Sequence, residues 1–306
     1  MVQESVAIGT RRTYETGVKM WLTFCARHNI ISFPATEHAL YLFVASISLG
    51  NRTFSTAKTY LAAIAYAHNT RGIPLDVSLM TQVQRALRGL KRHSTPTRLR
   101  LPLTISILHQ LQLATLQSNH TTFDKACLWA CFTLAFFGFF RIGELLLSPA
   151  GHYVRSHDVS VTNKGLTIFL RSSKTDPLAK GSLVSISPSH TKVCAVSALS
   201  EYLPGRVAMF PPGPLFVMNN GTALTPGLFN QLLRELLDKL GLNSSNYSSH
   251  SFRAGAATTA AAAGMPAWLI KALGRWSSEA YQVYISTPKA VLETIPSRLC
   301  GMVHGC

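Results

Sequence analysis

The sequence predicts an α-rich α+β protein, in which an all-helical amino-terminal domain precedes a mixed domain with a small antiparallel sheet. Apolar residues recur at helical spacing through about the first 95 residues, without the alternation that is typical of strands. Three strand-like runs follow one another closely near residues 159–161, 166–170 and 183–186. Hydrophobic residues make up 47% of the 306 residues and charged residues 14%, which indicates a folded chain long enough for two domains.

Four helices are predicted in the amino-terminal domain, which we place at residues 1–93. Their apolar spacing locates them near residues 14–25, 39–47, 55–67 and 77–90. Residues 94–102 contain two prolines, two arginines and no helical pattern, which is typical of a linker. This basic linker either straps over a phosphate backbone or is a solvated loop.

The second domain is predicted to span residues 103–306. An Asn-Lys-Gly turn at residues 163–165 connects the first two strands, and helices surround the sheet. The expected helices are residues 105–116, 123–140, 192–203, 226–240, 251–263 and short segments up to about residue 295.

The most apolar run, residues 126–140, is shorter than the ~20 residues that a bilayer crossing needs. It therefore predicts a buried core helix and no membrane association. The six cysteines include no Cys-x-x-Cys pair, and Cys127 and Cys131 lie four apart in this apolar run. This pattern fits buried thiols in a reducing compartment, without structural disulfides or a metal site.

The charge is strongly one-sided, with 29 Lys and Arg against 13 Asp and Glu, a net charge of +16 and a pI near 10.0. Such an excess favours a polyanionic partner, because phosphate neutralisation releases counterions; a basic protein that is merely soluble is the alternative. The candidate DNA-binding residues lie at the end of the fourth helix and in the linker: Arg85, Arg88, Lys91, Arg92, Arg98 and Arg100.

Four segments of the second domain carry candidate site residues. In GFFRIGELL (138–146), Arg141 ends the apolar helix and Glu144 follows three residues later, where it can orient the guanidinium. By itself Arg141 fits a helix cap as well. In FLRSSKTDPLAKG (169–181), Lys174 lies at the tip of a predicted hairpin, where an ordinary surface lysine is the alternative.

The third segment, HSFRAGAAT (250–258), places His250 and Arg253 on one face at a helix start, where backbone N–H groups favour an anion. A capping histidine and a solvated arginine are the alternative. The fourth segment, LGRWSSEAYQVYI (273–285), carries Tyr281 and Tyr284 on one short helix, where both could equally be core aromatics.

The order Arg…Lys…His-x-x-Arg…Tyr is more specific than any of its parts, and with it the chain resembles the tyrosine recombinase (phage-integrase) family. The resemblance covers about residues 10–295. It matches GFFRIGEL, SKTD, HSFR and LGRWSSEAYQVYI to the family's four catalytic boxes, and the helical amino-terminal unit to its core-binding domain. The sequence segments SKTDPLAKG and GRWSSEAY look most like those of recombinases of eukaryotic mobile elements, of the Crypton or DIRS type.

The resemblance implies that Tyr284 is the nucleophile and Tyr281 a packing residue. It implies a break-and-rejoin reaction through a 3′-phosphotyrosine, with no metal, ATP or other cofactor. Arginine suits a phosphate clamp because its planar fork matches the non-bridging oxygens, which assigns that role to Arg141 and Arg253. His250 could relay the tyrosine proton and Lys174 could protonate the leaving 5′-oxygen.

The sequence departs from the family at one position. Nine residues before the nucleophile the family has His or Trp, and here that residue is Arg275, followed by Trp276. Either Arg275 donates to the scissile phosphate, or Trp276 does so through its indole N–H. The remaining alternative is that Trp276 fills the core beside Tyr281 and Arg275 binds backbone phosphate.

The expected partners are double-stranded DNA and three further copies of the chain, since recombination needs four cleavages. The tail after Tyr284 offers apolar residues for docking on a neighbour or on its own domain: Val291, Leu292, Ile295 and Leu299. The polar stretch after Met1 does not fit a signal peptide, and the expected location is the nucleus in a eukaryote or otherwise the cytoplasm. Rival functions are a type IB topoisomerase and a DNA-binding protein that has lost strand exchange. A metal nuclease is disfavoured by the scattered carboxylates.

Overall fold

The structure is a computed structural model that describes residues 6, 8–94, 100–148, 153–171 and 180–284. The chain forms two compact units, residues 1–98 and residues 99–306. Each unit has a hydrophobic core of its own. The described residues are mostly helical with one small antiparallel sheet, which confirms the predicted fold class.

The described part of the first unit is all-helical. Threonine side chains cap two of its helices, because the hydroxyls of Thr36 and Thr53 accept hydrogen bonds from backbone N–H groups three residues later. The buried side chains of Trp21, Phe43 and Ile64 lie in the core between the helices. The helices are α1 (Ile8–Arg27), α2 (Glu37–Leu49), α3 (Phe54–Asn69) and α4 (Thr81–His93).

Helix α4 separates apolar from basic residues around its axis. Val83, Leu87 and Leu90 are buried in the core of the unit. The four candidate DNA-binding residues of this helix are exposed: Arg85, Arg88, Lys91 and Arg92. The apolar face holds the helix in place, so the opposite face presents a row of cations to solvent.

The second unit combines many helices with the small sheet. Phe132, Phe229 and Phe252 come from three different helices and form an aromatic cluster, with ring centroids 5.3–5.5 Å apart. The helices are α5 (Ile105–Leu116), α6 (Thr122–Phe137), α7 (Ile142–Leu145), α8 (Ala195–Met209), α9 (Pro226–Lys239), α10 (His250–Ala262) and α11 (Ala267–Leu273), and a 3₁₀ turn follows at Glu279–Tyr284.

The sheet has the strand order β1 (Val159–Thr162), β2 (Gly165–Leu170) and β3 (Ser182–Ile186), with both pairs antiparallel. Leu166, Ile168 and Leu170 of β2 face the core. The three predicted strands are therefore confirmed. The segment between β2 and β3 that carries Lys174 lies outside the described residues.

Two predicted helix ends are wrong. Helix α6 ends at Phe137 instead of residue 140, because Phe139 adopts a left-handed φ of 50° that a helix cannot contain. Arg141 therefore does not end this helix. Helix α8 continues past Pro204 to Met209 instead of ending at residue 203, because the buried Arg206 of its last turn donates to three loop carbonyls: Phe210, Pro211 and Pro214.

Helix α6 contains the most apolar run and is buried along most of its length, as predicted. Among the described residues, no helix combines the length and the hydropathy that a membrane crossing requires. Cys25, Cys127, Cys131 and Cys194 are buried and carry no disulfide.

Candidate active site

The chain reverses sharply after α6, and this reversal organises the candidate site. A side chain at Gly138 would collide with the ring of Phe140, whose nearest atom lies 2.1 Å from the position of a Cβ. Phe139 then takes its left-handed conformation. As a result, the carbonyl oxygens of Gly138 and Phe139 are available to accept hydrogen bonds from guanidinium groups elsewhere in the unit.

Arg141 directly precedes the short helix α7 and binds Glu144 within that helix. The carboxylate of Glu144 accepts from the backbone N–H of Arg141 at 3.0 Å and from its Nη1 at 2.8 Å. Glu144 is 5% exposed, whereas the side chain of Arg141 is 25% exposed. The guanidinium of Arg141 is therefore held by the buried carboxylate of Glu144, while part of it remains exposed to solvent.

His250 and Arg253 occupy the first turn of α10, where the sequence places them. Asn230 of α9 accepts from the backbone N–H of Ser249 at 2.8 Å and so fixes the helix start. Arg253 is buried, and its Nη1 donates to the carbonyl of Phe139 at 3.0 Å. Its Nη2 donates to the carbonyl of Gly274. Arg253 thus connects α10 to the end of α6 and to the turn after α11.

Desolvation lowers the pKa of His250 below its ordinary value, and the positive charges of Arg253 and Arg141 lower it further. The charges of both arginines therefore act on the imidazole of His250. They come from two separate segments of the sequence. At neutral pH the lowered pKa favours the uncharged imidazole, which can accept a proton.

Arg275, the residue that departs from the family pattern, points inward. Its backbone has a φ of 54°. Its Nη1 donates to the carbonyl of Gly138 at 3.0 Å, and its Nη2 lies 3.2 Å from a carboxylate oxygen of Glu144. Burial lowers the pKa of the guanidinium, and the carboxylate of Glu144 opposes that shift. The structure therefore brings Arg275 to the same carboxylate as Arg141.

Trp276 lies against the opposite side of the site. Its ring is 4.3 Å from the guanidinium carbon of Arg253, in cation–π contact, and 5.8 Å from the ring of Tyr281. A Cβ on Gly274 would approach the indole to 1.6 Å, so that only glycine leaves room for this ring.

Tyr281 and Tyr284 share the last described 3₁₀ turn. Tyr281 is 4% exposed and belongs to the hydrophobic core. The side chain of Tyr284 lies outside the described part of the structure, as do Lys174, Arg98 and the tail residues from 285 onwards. Arg100 is described, and its guanidinium donates to the carbonyl of Ser245.

Sequence reasoning missed several parts of this arrangement. The carbonyls of Gly138, Phe139 and Gly274 hold the arginines, and backbone acceptors leave no trace in residue type. Gly274, two residues before Trp276, was a usable signal, because a small residue close to a large ring indicates close packing. Across the described ranges, no three His, Cys, Asp or Glu side chains are grouped as a metal site would require.

Comparison with known proteins finds a sequence relative and several solved structures that are similar over most of the chain. A scan against protein-family models finds no match. An integrase/recombinase XerD homolog of Selenomonas ruminantium is 24% identical over 294 residues, which cover 91% of this chain and 81% of that protein.

Solved structures of recombinases have the same fold. XerH recombinase bound to its difH substrate superposes with a TM-score of 0.64 at 18% identity, over 94% of this chain and 78% of that one. A lambda integrase dimer bound to a core site superposes with a TM-score of 0.59 at 12% identity, over 92% of this chain and 73% of that one. The Tn1549 transposon integrase in complex with circular intermediate DNA superposes with a TM-score of 0.58 at 15% identity, over 86% of each chain. The chain therefore has the tyrosine recombinase fold.

Proposed function

We propose that this chain is a site-specific DNA recombinase or integrase that breaks and rejoins DNA through a 3′-phosphotyrosine at Tyr284. The observation that carries the proposal is the convergence of Arg141, His250 and Arg253 at the end of α6. These residues are the ones that the resemblance assigns to the phosphate site. The sequence relative and the recombinase fold support the same function.

The charge of the site suits a phosphodiester. Three guanidiniums lie around the end of α6, those of Arg141, Arg253 and Arg275. Within the described ranges, Glu144 is the carboxylate that pairs with two of them. The remaining positive charge stabilises the negative charge that develops on the non-bridging oxygens during attack.

The chemistry follows from the roles of the individual groups. The phenol oxygen of Tyr284 forms a bond to phosphorus while the bond from phosphorus to the 5′-oxygen breaks. His250 accepts the phenol proton, and Lys174 donates a proton to the departing 5′-oxygen. The phosphodiester is replaced by a phosphotyrosine ester, so a 5′-hydroxyl can reverse the step and rejoin the strand without ATP or another cofactor.

The substrate that we propose is double-stranded DNA, bound in part by the exposed basic face of α4. The wording of the lysine and tyrosine boxes favours a recombinase of a eukaryotic mobile element. The reaction then takes place where the DNA is, in the nucleus of a eukaryote or otherwise in the cytoplasm. Four protomers are proposed to assemble on two duplexes.

The test is a suicide substrate, a nicked duplex that traps the covalent adduct after cleavage. The parent chain should give a protein–DNA band on a denaturing gel. Tyr284→Phe should abolish the band and retain DNA binding, because it removes only the attacking oxygen. The matched control, Tyr281→Phe, should keep the band. An adduct with Tyr284→Phe but none with Tyr281→Phe would show that Tyr281 is the nucleophile, and would refute the assignment to Tyr284.

A parent chain that binds DNA and forms no adduct would favour the DNA-binding alternative. Relaxation of supercoiled DNA without exchange between two duplexes would favour a topoisomerase.

A further inference from the structure

We propose that Arg275 is a positioning residue that fixes Arg141 through Glu144 and the end of α6, and that it does not contact the scissile phosphate. The proposal rests on the function proposed above. It concerns the one position at which the sequence departs from the family pattern, where a direct phosphate donor was the first expectation.

The terminal nitrogens of the Arg275 guanidinium already bind acceptors within the protein. Nη1 donates to the carbonyls of Gly138 at 3.0 Å and Leu273 at 3.3 Å. Nη2 donates to the carbonyl of Phe139 at 3.3 Å and to Glu144 at 3.2 Å. The two terminal nitrogens carry four N–H groups, and four acceptors surround them. The remaining Nε is buried, so it does not face a bound strand.

The backbone directs the side chain to this place. Arg275 follows the end of α11, and its N–H donates to the carbonyl of Ala272 at 2.9 Å. Its left-handed φ of 54° is a conformation that glycine adopts at lower cost. A long side chain in such a conformation fits a role in which its inward contacts offset that cost. The guanidinium also lies over the ring of Phe140, 5.0 Å from the centroid.

The contacts of Arg275 lead directly to both catalytic arginines. One oxygen of Glu144 binds Nη1 of Arg141, and the other binds both the backbone N–H of Arg141 and Nη2 of Arg275. The carbonyl of Phe139 accepts from Arg275 and from Arg253. Loss of Arg275 would release one side of Glu144 and leave buried carbonyls with fewer donors. Arg141 would then be held less firmly.

The first experiment measures adduct formation in a single turnover at saturating DNA, together with the salt dependence of DNA binding. Arg275→Ala should slow the adduct about 100-fold, the loss typical of a small misplacement of a reacting group. The log–log salt slope should not change. Arg275→Lys should behave similarly, because a point-like ammonium cannot span four acceptors. It also serves as the test variant if Arg275→Ala does not fold.

A double-mutant cycle with Glu144→Gln tests whether Arg275 acts through Glu144. The double variant should be about as slow as the slower single variant, because both changes interrupt one chain of contacts. The matched charge control is Arg234→Ala on the exposed face of α9, which should cleave at the parent rate. Losses that multiply in the double variant would show that Arg275 acts independently of Glu144, and would overturn the proposal.

Two other results would also overturn it. Cleavage by Arg275→Ala at the parent rate, with a salt slope reduced by about 1, would identify a backbone phosphate contact. Full activity of Arg275→Lys would indicate that only the positive charge at this position matters, as in a direct contact with the phosphate. If the parent chain forms no adduct, the proposed function fails, and the cycle is then measured on the urea midpoints of the DNA-free protein. Additive midpoint shifts there would refute the Arg275–Glu144 coupling, and non-additive shifts would support it.

Discussion

The indole of Trp276 lies under the guanidinium of Arg253, and both groups are largely shielded from water. A cation over an aromatic ring is stabilised by about 2 kcal/mol when water is excluded. Arg253 also donates to the carbonyls of Phe139 and Gly274. The ring and the two carbonyls together fix the position and the plane of the guanidinium. Trp276 is therefore a structural support for Arg253, the arginine that we propose to bind the phosphate.

Trp276→Leu should slow adduct formation at saturating DNA by about 10-fold or more, because Arg253 loses the ring beneath it. Trp276→Phe should lose less, since an aromatic face remains. Single-turnover gels on the suicide substrate give these rates. Trp268→Leu is the matched control, because this tryptophan of α11 is 69% exposed. Equal losses in Trp276→Phe and Trp276→Leu would instead show that the indole N–H is the important group.

Asp158 offers a second test at the scale of one residue. Burial by itself would raise the pKa of this carboxyl, but hydrogen bonds from Arg171 and from the backbone N–H of Arg155 hold it below its ordinary value. Arg171 follows β2, directly before the segment that carries Lys174. The ion pair therefore fastens the base of the hairpin to the chain before β1.

Asp158→Asn should lower the free energy of unfolding at pH 7 by about 1 to 3 kcal/mol, the usual cost of losing hydrogen bonds to a charged group. The folded-state pKa is depressed, so the stabilisation is complete above the unfolded value of about 3.9 and disappears as the pH falls through the folded value. Denaturant titrations should therefore show parent and variant converging below about pH 4. Asp238→Asn, on the exposed side of α9, should follow the parent at every pH. A difference that does not shrink as the pH falls below 4 would contradict the assignment.

At the scale of elements, α10 is held in place by the segment that enters the second unit. The N–H of Leu103 donates to the carbonyl of Ser251 at 2.9 Å, and the N–H of Leu101 donates to the carbonyl of Asn246 at 2.8 Å. A Cβ on Gly255 would lie 1.8 Å from the carbonyl oxygen of Leu103. Glycine at this position therefore allows the entering segment to pass directly over the helix that carries His250 and Arg253.

Gly255→Ala should destabilise the second unit by about 1 to 3 kcal/mol, because a backbone carbonyl must move to admit the methyl group. The displaced helix should also slow adduct formation. Gly227→Ala is the matched control, since the nearest atom to its Cβ would lie at 3.8 Å, an ordinary contact. Thermal unfolding of the two variants measures the difference. A Gly255→Ala variant as stable as the parent would show that the segment around Leu103 can move aside without a measurable loss of stability.

At the scale of the whole molecule, the net charge of +16 predicts that binding to DNA depends on salt. If about six phosphates are neutralised, the log–log slope of affinity against salt should be near −5. Fluorescence anisotropy between 50 and 200 mM salt measures this slope. Arg85→Gln combined with Arg88→Gln on α4 should reduce it by about 2, whereas Arg27→Gln combined with Lys239→Gln should leave it unchanged. A flat response to salt would contradict the prediction.

Assembly is the other property at this scale. The apolar residues of the tail, Val291, Leu292, Ile295 and Leu299, are proposed to dock on a neighbouring protomer in a cyclic arrangement. Deletion of residues 288–306 should then lower the yield of four-protomer complexes and preserve binding to a single site. Light scattering on DNA complexes measures the yield. An unchanged yield would favour packing of the tail on its own domain.

The sequence by itself determined the fold class, the three strands and the segments that carry the candidate site. Hydrophobic periodicity reports which face of an element is buried, and the order of the Arg, His-x-x-Arg and Tyr boxes is a property of the chain. Composition indicated the polyanionic partner. Local patterns were less informative at the ends of elements: α6 stops early at the left-handed Phe139, and α8 runs through Pro204 because Arg206 binds loop carbonyls.

Only the tertiary structure decided what the arginines contact. Arg275 could have faced a phosphate as far as its type and spacing show, yet it binds Glu144 and the carbonyls at the end of α6. Trp276 was a candidate donor, and the structure places its ring against the guanidinium of Arg253. The physical reason is that backbone carbonyls are the same in every residue, so their positions follow from φ and ψ and not from side-chain identity. The sequence determines which groups are available, and the path of the backbone between α6 and α11 determines which of them meet.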